Sequence, residues 1–145
     1  MTISIYGHLL MAIKLWPADR QFSDAIRLSR HYVCEHCGVQ GGKKGGDLPQ
    51  IECCHIYGRR HAATRWDTLN ALAMCHSCHR SFTECPVAFT RFLEEYVGAG
   101  YLQILNEKRN GIFKNNKAIR AEITAHYRNE IKLMEAGRHD LISYQ

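Results

Sequence analysis

Two short stretches decide the fold of this chain: Cys34-Glu-His-Cys37 and Cys75-His-Ser-Cys78-His79. Each contains two cysteines three positions apart, and 37 residues separate the two pairs. A structural Zn²⁺ ion prefers four thiolates in a tetrahedral, closed arrangement. The spacing therefore predicts one structural zinc per chain, which clamps the ends of the intervening segment together and is bound by Cys34, Cys37, Cys75 and Cys78.

The other cysteines, Cys53, Cys54 and Cys85, do not form such pairs, and we expect them to be buried, inert thiols. The total of seven cysteines is odd, and the N-terminus shows no recognisable export signal. We therefore expect reduced thiols and a cytoplasmic location, in a bacterial or phage-infected cell.

The apolar stretch from Met1 to Trp16 is interrupted by His8 and Lys14 and is too short to cross a bilayer. We interpret it as an N-terminal core or docking segment and expect no membrane partner. The net charge of +5 would fall to about +3 with a zinc tetrathiolate, since four protons leave and two charges enter. This modest excess is compatible with contacts to phosphates but does not require them.

The length of 145 residues, 46% hydrophobic and 23% charged, suits one compact globular domain of the α+β class. We divide it into an N-terminal segment and helix (1–33), a zinc-bound core (34–82) and a helical C-terminal region (83–145). Pro17 can begin a helix that ends near Arg30, and residues 48–57 are typical of a strand. The second cysteine pair should open a helix, and further helices are expected from Pro86, from Tyr101 and after Asn116.

A zinc saturated by four cysteines has no open position for water, so catalysis would depend on other residues that the zinc holds in place. His55, Asn70 and His79 follow the pattern His-x14-Asn-x8-His, and the last of them adjoins the second cysteine pair. Each histidine alone is more often an ordinary surface or core residue, but the joint spacing favours a site.

With its flanking cysteine pairs, this pattern resembles the HNH endonucleases, which have a ββα-metal core. Several local motifs are similar, more specifically, to the phage recombination proteins NinG/Rap and their relatives, and the resemblance covers about residues 16–137. Besides the first cysteine pair, the motifs are Phe22-Ser-Asp-Ala-Ile-Arg27, Cys53-Cys-His55, Gly58-Arg-Arg-His61, Arg65-Trp-Asp-x-x-Asn70 and Cys75-x-x-Cys78-His79.

The resemblance implies a β-hairpin that carries the first histidine, a helix that carries the last, and one Mg²⁺ or Mn²⁺ ion between them. It also implies a metal-dependent DNA endonuclease that hydrolyses phosphodiester bonds in branched recombination intermediates, such as Holliday junctions or D-loops. Symmetric cutting of a junction needs two active sites, so a homodimer formed through the C-terminal helices is a further expectation.

In this interpretation His55 is the general base, His79 binds the catalytic metal, and Asn70 orients the hairpin. Many members of the family have an aspartate ligand directly before the first histidine, where this chain has Cys54. A thiolate is a poor ligand for Mg²⁺, so Glu52, His61 and Asp67 are candidates for the missing ligand.

Basic residues in three segments are the candidate contacts to the DNA backbone. The N-terminal helix supplies Arg20, Arg27 and Arg30, and the glycine-rich loop supplies Lys43 and Lys44. The segment after the first strand supplies Arg59, Arg60 and Arg65. Taken alone, a basic helix face is more often simply solvated.

Three alternatives stay open on the sequence. The chain could be a zinc-ribbon DNA-binding protein without catalysis, which leaves His55 and His79 without a role. It could be an HNH nuclease that acts on plain duplex DNA. It could also be an adaptor whose C-terminal helices bind a partner.

Overall fold

The protein is described here from a computed structural model, which covers residues 12–43 and 46–145. Most of the N-terminal apolar stretch, and Lys44 of the predicted DNA contacts, lie outside these residues. The described chain has α+β architecture, as the sequence predicts, with five α-helices, one 3₁₀-turn and one two-stranded sheet. In chain order the elements are α1 (Pro17–Ser29), β1 (Ile51–His55), the 3₁₀-turn (Thr68–Asn70), β2 (Ala71–Cys75), α2 (His76–Glu84), α3 (Pro86–Tyr96), α4 (Ala99–Arg109) and α5 (Lys117–Glu135).

The sheet is an antiparallel hairpin followed directly by α2. Its register places Ile51 opposite Cys75 and His55 opposite Ala71. The second cysteine pair therefore lies at one end of the hairpin and His55 at the other. Strand β1 is shorter at both ends than the predicted range 48–57. At its N-terminal end Pro49 has no N–H to donate to a ladder.

Helix α1 begins at Pro17, as predicted, because proline suits the first helical position. The Asp19 carboxylate accepts a hydrogen bond of 2.7 Å from the backbone N–H of Trp16 and so caps this end. Phe22 and Ile26, one turn apart on the same face, are fully buried. This face attaches α1 to one side of the hairpin.

The first hydrophobic core lies between α1, α5 and the hairpin. The apolar stripe of α5 supplies Ile123 and Tyr127, both fully buried, with Ile119 and Ile131 partly buried beside them. Asn116 caps α5 by accepting a 2.9 Å hydrogen bond from the N–H of Ile119. The stripe is therefore core packing within this chain.

The second hydrophobic core lies against the other side of the hairpin and is formed by α2 and α3. Phe82 of α2 and Leu93 of α3 pack with Cys54 and Met74 of the two strands. The hairpin is thus covered on both faces, and its side chains are held by packing as well as by the strand ladder. No helix among the residues described is long and apolar enough to cross a membrane.

One glycine of the predicted flexible loop is a packing residue. Gly41 is buried, and a Cβ atom built on it would lie 2.4 Å from the Ile51 side chain and 2.4 Å from the Pro49 carbonyl oxygen. Only glycine lets this backbone approach β1 so closely. Lys43, two residues later, is exposed as expected.

Candidate metal centre and active site

The four cysteines of the two predicted pairs converge on one point. The Sγ atoms of Cys34, Cys37, Cys75 and Cys78 all lie within 4.8 Å of one another. The Sγ atoms of Cys37 and Cys75 are 3.8 Å apart. A tetrahedral zinc with Zn–S bonds of about 2.3 Å separates its sulfurs by roughly 3.8 Å. The donor set and its spacing therefore fit a structural zinc.

The electrostatics of this cluster also fit a bound cation. Burial opposes ionisation of Cys34, but backbone N–H groups of Cys37, Cys75 and His36 outweigh it and lower the pKa of Cys34 to about 7. Burial, together with the neighbouring thiols, raises the pKa of Cys78 well above its usual range. Four adjacent thiolates repel one another, and a divalent cation removes that repulsion.

Glu35, inside the first cysteine pair, joins the metal centre to the hairpin. Its backbone N–H donates to the Ala73 carbonyl at 2.8 Å, and its Oε2 accepts from the Ala73 N–H at 2.6 Å. Its Oε1 accepts from the Tyr96 hydroxyl of α3 at 3.0 Å and from Arg30 at 3.2 Å. Arg30 is therefore paired with Glu35, and its contact to DNA stays a prediction.

Asn70 organises the loop between the two strands. Its side chain is fully buried, and its Oδ1 accepts a 2.8 Å hydrogen bond from the Tyr57 N–H. Its Nδ2 donates to the carbonyls of Tyr57 at 2.8 Å and of Thr64 at 3.0 Å. The amide thus satisfies three backbone groups and fixes the loop that leaves β1.

His55, the last residue of β1, is held by this loop. Its Nε2 lies 3.0 Å from the backbone carbonyl of Arg65, and its ring lies 5.6 Å from that of Phe22 in α1. Burial, and next the charge of Arg59, lower the pKa of His55 to about 4. The imidazole is therefore neutral at pH 7. A carbonyl only accepts, so the facing nitrogen carries the proton and the other is an acceptor.

His79, in the first turn of α2, contacts a carboxylate of β1. Its Nδ1 is 2.6 Å from Glu52 Oε2, and His76 Nδ1 is 2.8 Å from Glu52 Oε1. Burial opposes ionisation of Glu52, but the hydrogen bonds from His76 and His79 outweigh it and lower the Glu52 pKa. The three residues line an open pocket of about 260 Å³. Of the three candidate ligands beside His79, Glu52 is the one that contacts it.

The structure places His55 and His79 on different faces of the hairpin. Side chains alternate along a strand, so Glu52 and Cys54 share one face and Cys53 and His55 share the other. Cys54 packs in the core formed by α2 and α3, whereas the ring of Phe22 in α1 contacts that of His55. The three residue steps from Glu52 to His55 span about 10 Å. His55 and His79 therefore belong to two separate groups of side chains.

Arg65 and Asp67 have structural contacts that the sequence did not reveal. Arg65 is 5% exposed and bonds to Asp19 and to the Lys14 carbonyl, so it is an interior residue and not the surface DNA contact predicted. Asp67 is also 5% exposed, caps the 3₁₀-turn through the Leu69 N–H, and pairs with Lys108. Neither side chain is free for the role expected of it.

His61 lies in a cluster of aromatic and basic side chains on the loop after β1. Its ring is 6.2 Å from that of Tyr57, whose face the Arg109 guanidinium covers at 4.4 Å. Its Nε2 accepts from Arg60 Nε at 3.4 Å. Slight burial, then the charges of Arg109 and Arg60, lower the pKa of His61. These contacts place His61 with the basic loop and not with Glu52.

Sequence reasoning missed two residues of this site. His76 stands inside the second cysteine pair, and that position was the available signal for its contact with Glu52. Asp19 accepts a hydrogen bond from Arg65, which lies 46 positions later in the sequence, and no local sequence pattern predicts such a pair. Comparisons of the chain with protein-family models, with curated proteins and with solved structures found no match.

Proposed function

We propose that this chain is a zinc-clamped, metal-dependent DNA endonuclease of the HNH type. The observation that carries the proposal is the setting of His55: a neutral imidazole whose Nε2 faces the Arg65 carbonyl at 3.0 Å. The spacing of His55, Asn70 and His79, and the resemblance of the surrounding motifs, support the same conclusion.

His55 would act as the general base. With its proton on the nitrogen that faces Arg65, the other nitrogen can accept a proton from an attacking water. The hydrogen bond to the carbonyl also stabilises the imidazolium that forms. Asn70 would be a positioning residue, because it holds the loop that supplies this carbonyl.

Glu52 and His79 would hold the catalytic divalent cation, with His76 beside them. A bound Mg²⁺ or Mn²⁺ ion would polarise the scissile phosphate and stabilise the leaving oxygen. This role requires that one phosphodiester is reached both from this face of the hairpin and from the opposite face, where His55 lies. One carboxylate and one imidazole suit Mn²⁺ better than Mg²⁺, which prefers oxygen ligands. This donor set replaces the aspartate that the family places at the position of Cys54.

Branched DNA is the substrate class that we propose, on the resemblance to NinG/Rap and on the position of the basic residues. Tyr57, Arg60 and His61 of the hairpin loop form a basic and aromatic cluster with Arg109, the last residue of α4. Arg27 lies on α1, and Lys43 lies on the loop before β1. Separate basic surfaces suit DNA arms that leave in different directions, and a homodimer would pair two such sites.

A second candidate function is DNA binding without cleavage. It is favoured by the position of His79, which contacts Glu52 on the face of the hairpin opposite His55. In this alternative the zinc and the basic residues keep their roles, and Glu52, His76 and His79 form only a surface ion-pair cluster.

A cleavage assay separates the two functions. Four-way-junction, flap and linear duplex DNA are incubated with the purified protein and Mn²⁺, Mg²⁺ or no added metal. We expect metal-dependent cutting, fastest on the junction, that His55→Ala abolishes while zinc content and DNA affinity are retained. The matched control is His139→Ala, which removes an exposed histidine near the C-terminus. His79→Ala should also lose activity and regain part of it in excess Mn²⁺.

Each outcome assigns a function. Metal-independent DNA binding with no cutting in any metal supports the non-catalytic protein and overturns the nuclease. Full activity in His55→Ala removes His55 as the base. Equal cutting of junction and duplex, at equal phosphate concentration and moderate salt, replaces the branched substrate with plain duplex DNA.

A further inference from the structure

An open cleft of about 760 Å³ lies between α1, α5 and the loop after β1. Four arginines from these three segments line it: Arg20 and Arg27 from α1, Arg59 from the loop and Arg128 from α5. Of these, Arg128 lies 69 positions beyond Arg59, so only the packing of α5 on α1 brings it to the cleft.

The positive charge of this cleft is only partly balanced. Among the described residues that line it, Asp19 is the carboxylate, and it is 4% exposed and already bonded to Arg65 and Trp66. Arg27 is paired with Asp24 at the edge of α1. Of the four arginines, Arg27 is therefore engaged with an acidic partner, and the Asp19 carboxylate is already bonded to other groups.

The remaining arginines are poised for an external anion. Within the described part of the chain, Arg20 and Arg128 form no ion pair with a carboxylate, and both are exposed. Arg59 lies 4.0 Å from Asp19, but its buried Nε has no hydrogen-bond partner. The Arg59 side chain is 32% exposed, so an anion in the cleft would contact its guanidinium at the accessible nitrogens and not at this buried Nε.

Two further cations contact one residue that lines the cleft. Trp16 is a lining residue, and its ring is covered by the Arg120 guanidinium at 3.9 Å and by the Lys14 ammonium at 4.3 Å from the centroid. The cleft is therefore an open channel lined by four arginines, and not a closed pocket around one small molecule.

We infer that this cleft binds the phosphate backbone of a nucleic-acid strand. Guanidinium groups match the geometry of phosphate oxygens, and several of them in an open channel suit successive phosphates better than one isolated anion. Arg59 connects the cleft to His55, four residues before it, so the bound strand would lead to the proposed base. The inference rests on the proposed function only for this last step.

The test is DNA binding without cleavage, measured by fluorescence anisotropy on a labelled duplex oligonucleotide without added Mg²⁺ or Mn²⁺. Arg128→Gln and Arg20→Gln change exposed side chains and should leave folding intact. Each should weaken binding roughly threefold to tenfold and lower the slope of log K against log salt by about one. The matched control is Arg91→Gln, which removes an exposed helical arginine from α3 with the same change in net charge.

Three results overturn the inference: no binding by the wild-type protein, unchanged binding in Arg128→Gln and Arg20→Gln, or an equal loss in Arg91→Gln. Competition by inorganic pyrophosphate as strong as by the oligonucleotide, at matched ionic strength, would also overturn it in favour of a small phosphorylated ligand. If both cleft variants weaken binding but the wild-type protein cuts DNA in no metal, the inferred phosphate-binding cleft is supported and the proposed nuclease activity is overturned. If the protein cuts DNA and both variants bind it as the wild type does, the nuclease activity is supported and the inferred cleft is overturned.

Discussion

Asp19 and Arg65 join α1 to the hairpin loop through a pair of hydrogen bonds, from Arg65 Nε to Oδ1 at 2.8 Å and from Arg65 Nη2 to Oδ2 at 2.7 Å. Both side chains are buried. The backbone carbonyl of the same Arg65 faces His55 at 3.0 Å. Helix α1 therefore positions the proposed base through Arg65, although α1 contributes no group to the reaction.

Replacing Asp19 by asparagine should destabilise the protein strongly. The change leaves the Arg65 charge buried without its counter-ion, which costs about 3–5 kcal/mol when one partner of a buried pair is removed. Chemical denaturation should show this loss in the free energy of unfolding. The control is Asp24→Asn, whose partly exposed pair with Arg27 should be worth less than about 1 kcal/mol. Equal, small losses in both variants would contradict a structural role for the Asp19 pair.

Zinc removal should unfold the hairpin region. We expect one zinc per chain by elemental analysis, and a lower melting temperature in Cys75→Ser, since binding of the metal contributes directly to folding. Cys85→Ser is the matched control, because Cys85 is exposed, and not buried as predicted, and lies outside the four-cysteine cluster. Folded, freshly purified protein without zinc would refute the metal centre.

The Asn70 amide should contribute more to the free energy of unfolding than an ordinary surface hydrogen bond does. Asn70→Ala leaves the Tyr57 N–H and two carbonyls without their partner in a buried position, at about 1–3 kcal/mol for each group left unsatisfied. Urea denaturation should therefore show a loss of several kcal/mol. Asn110→Ala removes an exposed amide that donates to the Asn106 carbonyl, and it should change stability by less than about 1 kcal/mol.

His55 should make the folded state less stable in acid. Burial, then the charge of Arg59, lower its pKa to about 4, whereas histidine in an unfolded chain titrates near 6.5. Below pH 6.5 His55 binds a proton in the unfolded state but not in the folded state. The free energy of unfolding therefore falls as the pH drops from about 6.5 to 4. Above pH 6.5 this group adds no pH dependence.

The variant His55→Gln removes this titration and keeps an N–H for the Arg65 carbonyl. Between pH 7 and pH 4 the wild-type protein should lose up to about 3 kcal/mol more stability than the variant. Urea denaturation of both proteins across this range measures the difference, and acid release of zinc affects both equally. Parallel stability profiles would show that His55 is not held neutral by its surroundings.

Much of this architecture is local and could be predicted from the sequence. Pro17 begins α1 and Asn116 caps α5, because capping and backbone geometry depend on neighbouring residues. The four zinc cysteines were identifiable because tetrahedral thiolate chemistry imposes a short spacing within each pair. Asn70 was expected to orient the hairpin, and its buried side chain does bond to the loop after β1.

Only the tertiary structure decided which charged residues are available for function. Arg65 and Arg59 belong to the same basic segment, yet Arg65 is buried against Asp19 and Arg59 lines an open cleft with Arg128. Because side chains alternate along β1, Glu52 contacts His79 on one face of the hairpin, and His55 lies on the other face. Spacing in the sequence determines residue types and local geometry. The packing of α1, α2 and α5 on the hairpin determines which side chains meet, because those contacts join residues that are distant in the chain.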